Sequence, residues 1–168
     1  MENKFVDLKL FSQYLKMNDA EQDALLLLYL NSAQQIIENY IGYSLEAKTY
    51  NYGIKRSGYF VLQSANIFDL KINGDAVTVL KQNVNIVFIK ENITGEISSI
   101  EYTAGFNKDN VPEIIRLTMM RIASLMVSEE GGDIAITGKN FGADGGRTFI
   151  STRDYSKILK ELDAYRIL

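Results

Sequence analysis

The spacing of apolar residues changes twice along this chain, and those changes divide it into stretches that must fold differently. At the start, Leu8, Phe11 and Leu15 recur at steps of three and four, which places them on one face of a helix. Ala24, Leu25, Leu27, Leu28, Ala33, Ile36, Ile37, Tyr40 and Ile41 carry helical spacing through a longer run. Asn18 with Glu21 forms a capping-box pattern, Asp19 and Asp23 put negative charge in the first turn, and Gly42 stands where a left-handed C-terminal cap is wanted. Helices are predicted at about 7–17 and about 19–41.

From Ala47 the period becomes two. Phe68, Leu70 and Ile72 fall on one side of a strand over Ile67 to Ile72, and Asn73-Gly74 is a strong hairpin signal because a type I′ turn needs positive φ at both central positions. Val77, Val79, Val84, Ile86 and Phe88 continue the alternation, and Thr94-Gly95 reads as a second tight connection into Ile97 to Thr103. Helical spacing returns after Pro112, the single proline, with Ile114, Ile115, Leu117, Thr118, Ile122, Leu125 and Met126 on one broad face ended by Gly131-Gly132. Six of the twelve glycines lie between Gly131 and Gly146, a composition that predicts a flexible connection. Ser151 with Asp154 resembles another capping box, and Tyr155, Ile158, Leu159, Leu162 and Tyr165 mark one face of a terminal helix that closes on Ile167-Leu168. The expected fold is α+β: mainly an α-helical bundle of short, long, Pro-initiated and C-terminal helices. A small antiparallel β-sheet over about 47–104 is inserted between the second and third helices. The expected domains are a core over about 1–130 (third helix about 112–130), a Gly-rich linker over about 131–147 and a C-terminal arm over about 148–168.

Composition narrows the chemistry. The 168 residues include no cysteine and no histidine, which removes disulfides, thiolate nucleophiles, Cys/His zinc sites and His-dependent triads. The net charge of -3 supplies no basic field to hold nucleic acid by its phosphates. No apolar run approaches the length of a membrane span, and Met1 to Lys4 lacks a signal-peptide pattern, so a soluble cytoplasmic product is expected. The segment Gly138 to Thr148 is not a phosphate loop: Phe141 occupies the first glycine position and Arg147 replaces the lysine. Glu129-Glu130, Glu161 with Asp163, and Asp133 with Asp144 read as solvated charges, not as acid–base pairs or calcium ligands. Tyr40, Tyr43, Tyr50, Tyr52 and Tyr59 could stack bases, but few basic residues interleave them and packing of helix on sheet is the better reading. No catalytic residue, cofactor or metal site is expected.

Three stretches carry a resemblance: Leu8-Lys9-Leu10-Phe11-Ser12-Gln13-Tyr14-Leu15; Asp23-Ala24-Leu25 through Ile37-Glu38-Asn39-Tyr40-Ile41-Gly42; and Ile100-Glu101-Tyr102-Thr103-Ala104-Gly105-Phe106 followed by Val111-Pro112-Glu113-Ile114. In this order they resemble the head-tail connector (adaptor) proteins of long-tailed bacteriophages. The resemblance implies a non-enzymatic virion protein of the neck, assembled in the host cytoplasm. It further implies a homo-oligomeric, dodecameric ring that joins the portal protein to the next neck or tail-completion protein and lets DNA pass through its lumen. It also implies that the arm docks on the portal, which points to Tyr155, Ile158, Leu159, Leu162, Tyr165, Ile167 and Leu168. The residues leave two other classes open: a small non-catalytic binding module whose β insert grips a peptide or carbohydrate, and, far behind, an enzyme using carboxylate and tyrosine chemistry.

Overall fold

A computed structural model describes residues 3–17, 22–56, 61–130, 136–139, 147–149 and 155–167. In chain order the elements are α1 (Leu8–Leu15), α2 (Asp23–Ile41), β1 (Lys48–Arg56), β2 (Ile67–Ile72), β3 (Asp75–Ala76), β4 (Val79–Asn83), β5 (Ile86–Ile89), β6 (Ile97–Ala104), α3 (Glu113–Glu130), β7 (Ile136–Lys139), β8 (Arg147–Phe149) and α4 (Ser156–Leu159), then a 3-10 turn over Lys160–Tyr165. The chain divides into two compact units, one of residues 1–37 and 112–162, the other of residues 38–111 and 163–168.

The first unit is built on helices. Asp7 caps α1 by accepting the Lys9 N–H at 2.8 Å, and Lys16 ends the helix in the left-handed conformation. Pro112 opens α3 without losing a hydrogen bond, and its carbonyl accepts the N–H groups of Ile115 and Arg116. Both α1 and α4 pack on α3. Phe11, Leu26, Leu30, Ala33, Ile37, Ile115, Met119, Ile122, Ala123 and Leu162 are all buried to within 1%. Buried Asn3 pins the N-terminal segment: its Oδ1 accepts the Phe5 and Val6 N–H groups, and its amide donates to Asn31 and Gln34.

The second unit is built on strands. Its main sheet has the order β1-β6-β2-β3, all antiparallel, with β4 and β5 paired as a separate ribbon. Leu62, Ile67, Leu70, Ile72, Ile100, Tyr102 and Ala104 form its buried cluster, and Val77, Val79, Val87, Ile89, Ile93 and Ile97 pack against that cluster. Asn73 and Gly74 both have positive φ at the β2–β3 turn, as the hairpin signal required. The Asn73 side chain also accepts the N–H groups of Ser98 and Ser99, tying the turn to the start of β6.

The mainly helical bundle expected from the sequence is overturned. Residues 48–104 are not a small insert on a bundle: they fold into two antiparallel sheets with a hydrophobic cluster of their own. The C-terminal helix is one turn, Ser156–Leu159, continued as 3-10 geometry. Thr94-Gly95 does not join paired strands, because β5 pairs with β4 while β6 lies between β1 and β2. The expected face of β2 is also corrected: Asp69 adopts φ 51 at an irregularity between Phe68 and Lys71, so Ile67, Leu70 and Ile72 are buried and Phe68 is exposed. A bulge inserts one residue and so shifts the alternation. The expected caps at Asn18-Glu21 and Ser151-Asp154 lie outside the described residues, as does most of the Gly-rich connection; β7, within it, and β8, at its end, pair antiparallel.

Candidate functional site

Two places in the second unit present side chains in an arrangement suited to contact. The first is an apolar groove of about 750 Å³ between the β4–β5 ribbon and the main sheet. Buried Leu62, Leu70, Ile72 and Ile100 form its floor, and Val61 (63% exposed), Ile86 (48%) and Phe88 (54%) line it at the surface. The ribbon that walls the groove is fastened by polar contacts. Gln82 accepts the Ile67 N–H at 3.1 Å and donates to the Val84 carbonyl at 2.8 Å, and the Asn85 side chain donates to the Leu62 carbonyl at 2.9 Å. Glu91, the one ionisable residue of the lining among the described residues, accepts the Thr78 N–H at 2.8 Å. That backbone hydrogen bond is the main reason its carboxyl is held below the usual carboxylate range. The groove thus offers shape and apolar surface, and its carboxylate is already engaged.

The second place is the end of α2. Gly42 ends the helix with φ +88, and its N–H donates to the Glu38 carbonyl. The chain returns here at residues 163–167: Tyr40 donates its hydroxyl proton to Asp163, the Arg166 guanidinium lies 5.3 Å from the Tyr40 ring centroid, and the Ile167 N–H donates to the Ile41 carbonyl at 3.0 Å. Hydrogen bonding to Asp163 raises the Tyr40 pKa. Nearby, burial pushes the Tyr43 phenol far up, with Tyr165 adding to the shift.

The residues that the sequence singled out for docking are dispersed. Leu159 and Leu162 are buried, Tyr155, Ile158, Tyr165 and Ile167 are half-buried, and Leu168 lies outside the described residues. Of the tyrosines, Tyr50 and Tyr52 stack with buried Tyr102, at ring-centroid distances of 5.0 and 6.1 Å, and pack on the sheet's cluster; Tyr59 lies outside the described residues. Burial raises the Tyr102 pKa. The sequence reading missed the groove: Ile86 and Phe88 belong to a segment whose alternation was visible, but the separation of β4–β5 from the main sheet was not, and Val61, outside any strand, carries no periodic signal. Among the described residues no three acidic side chains converge on a possible metal position, and no helix is long and apolar enough to cross a membrane.

No protein family and no curated protein matches the sequence. Among solved structures, the chain is similar to a chain in the virion of a native gene transfer agent particle, at 14% identity and a TM-score of 0.53, over 97% of this chain and 91% of that one. It is also similar to a chain in the neck of an empty gene transfer agent particle computed with C6 symmetry, at 15% identity over 100% and 97% of the two chains, with a TM-score of 0.48. The first likeness shows a shared fold; the second is too distant to argue from.

Proposed function

We propose that the chain is a structural virion subunit, a head-tail connector that forms a ring between the portal and the next neck or tail component. The observation that carries this reading is the fold likeness to a chain of a phage-like virion, which runs nearly end to end in both chains. It is joined by the independent resemblance of three sequence stretches to phage connectors. A connector needs stable folded units and contact surfaces rather than a reaction centre, and the chain carries no His or Cys for such a centre. A repeated contact between two different faces of identical subunits closes into a ring. In this reading the open apolar groove is one surface available for subunit contact, and the mild negative charge keeps DNA from adhering to the lumen.

Negative-stain electron microscopy and native mass spectrometry of the purified protein, alone and mixed with the portal protein, test the proposal. Closed rings with a central opening, free or seated on the portal, are expected; a strict monomer that ignores the portal refutes it. The groove also favours a second reading, a non-catalytic module that binds an apolar peptide. Its lining, apolar apart from the engaged Glu91 among the described residues, does not suit a carbohydrate, which needs several directed polar partners. That reading requires a monomer that takes an apolar peptide with displacement of solvent around Phe88 and Ile86.

A further inference from the structure

Leu162 is fully buried in the first unit, and the next five residues belong to the second. There they meet the end of α2 through contacts of four kinds: the Tyr40–Asp163 hydrogen bond, Arg166 over the Tyr40 ring, the Ile167 N–H on the Ile41 carbonyl, and the Ile167 side chain against Gly42. The last contact is close, since a β-carbon added to Gly42 would lie 2.9 Å from Ile167 Cγ1. The contacts hold a defined pose: Arg166 and the Ile167 N–H both sit at the negative end of the α2 dipole. They are also weak enough to open, because Asp163 and Arg166 are exposed and water competes for their contacts with Tyr40. An exposed hydrogen bond or cation–π contact shifts an equilibrium by only about two- to tenfold. Opening this clasp beyond Leu162 uncovers Tyr165 and Ile167 while leaving Leu159 and Leu162 in their core.

We propose that the clasp is an autoinhibitory latch. In the free subunit it holds residues 163–167 on their own chain, and it opens when that segment docks on the portal. The inference rests on the reading of the chain as a connector whose C-terminal arm engages the portal. Tyr40 lies outside the arm, so Tyr40→Phe weakens the latch without altering the docking segment. The Ile167 amide, which the latch protects, should exchange with solvent about two- to tenfold faster in this variant. Affinity for the portal should rise to the extent that the open population rises.

Hydrogen exchange and surface-immobilised portal protein read the two halves of the test. Faster Ile167 exchange with tighter portal binding in Tyr40→Phe is the expected result. Faster exchange with unchanged or weaker binding overturns the latch, as does Ile167 exchange no faster than in the wild type. Failure of the wild type and the variant to bind the portal instead refutes the connector reading on which the latch depends.

Discussion

Replacing Gly105 by alanine should destabilise the second unit more than its one added methyl group suggests. Gly105 ends the Tyr-Thr-Ala-Gly stretch with φ +120, a conformation in which L residues are strained, and a β-carbon there would lie 2.7 Å from both Ala47 Cα and the Glu46 carbonyl oxygen and 2.8 Å from Ala47 N. All three atoms are backbone, so no side chain can swing aside. The strain costs about 1–3 kcal/mol. Relieving the clash means separating Glu46–Ala47 from Gly105–Phe106, where Ala47 N–H donates to the Phe106 carbonyl at 3.1 Å and Phe106 N–H to the Leu45 carbonyl at 2.6 Å. Losing two such bonds adds about 2 kcal/mol, for a total of about 3–5 kcal/mol out of a typical stability of about 5–15 kcal/mol. At about 2–4 °C per kcal/mol for a chain of this size, the melting temperature should fall by roughly 6–20 °C. Far-UV circular dichroism against temperature, with urea unfolding followed through the tyrosines, measures it. A Gly105→Ala protein melting within about 2 °C of wild type would refute the claim that this glycine is demanded by backbone contact.

Other consequences follow from single sites. Thr118→Val should raise stability by about 1 kcal/mol in urea unfolding, because the Thr118 hydroxyl is buried with no hydrogen-bond partner among the described residues; a loss would mean that the hydroxyl is satisfied. Val84 holds φ 50 in the β4–β5 turn, so Val84→Asn should be neutral or stabilising by up to about 1 kcal/mol, less the burial lost with the valine methyls; a clear loss in urea unfolding contradicts the strain. Leu162→Ala should cost about 2–5 kcal/mol, since Leu162 is fully buried, and unchanged thermal unfolding would show that the 3-10 turn does not close the first unit. The burial-raised phenols of Tyr43 and Tyr102 stabilise the fold fully below the unfolded phenol pKa of about 10 and lose that contribution as pH climbs through their higher folded values. Titration should therefore show late tyrosinate absorbance that coincides with alkaline unfolding; smooth titration of all tyrosines near the ordinary value would contradict it.

Much of the local structure was legible because it depends on neighbouring residues. Gly42, Asn73-Gly74 and Pro112 each mark a backbone need that only a few residue types meet, and each stands at the corresponding boundary. What was not legible depends on residues far apart. In the run Ala24 to Leu30 nearly every position is apolar, so the period could not reveal that Leu26 and Leu30 face the core while Leu28 is 58% exposed. The bulge at Asp69 has no signal of its own, and it reverses Phe68. The placement of β6 between β1 and β2 is a tertiary choice; alternation alone is equally consistent with a simple meander, which made a small insert on a helical bundle the natural expectation. The groove was hidden for the same reason, as it exists only because β4–β5 stands apart from the main sheet. The arm residues could be named from their spacing, but spacing is blind to the hand-over at Leu162–Asp163 between the two units.

That hand-over bears on how the chain is made. On a ribosome the strands β1 and β2 emerge well before β6, the strand that separates them, so both wait with unpaired edges until residue 104 is exposed. Even then the first unit lacks Leu159 and Leu162 from its core, and the second lacks the contacts of Asp163, Arg166 and Ile167 with the end of α2. One short stretch, residues 159–167, therefore serves both units, giving core side chains to the first and surface contacts to the second. A chain whose translation stops before it lacks both at once: two leucines from one core and the tie to the end of α2 from the other unit.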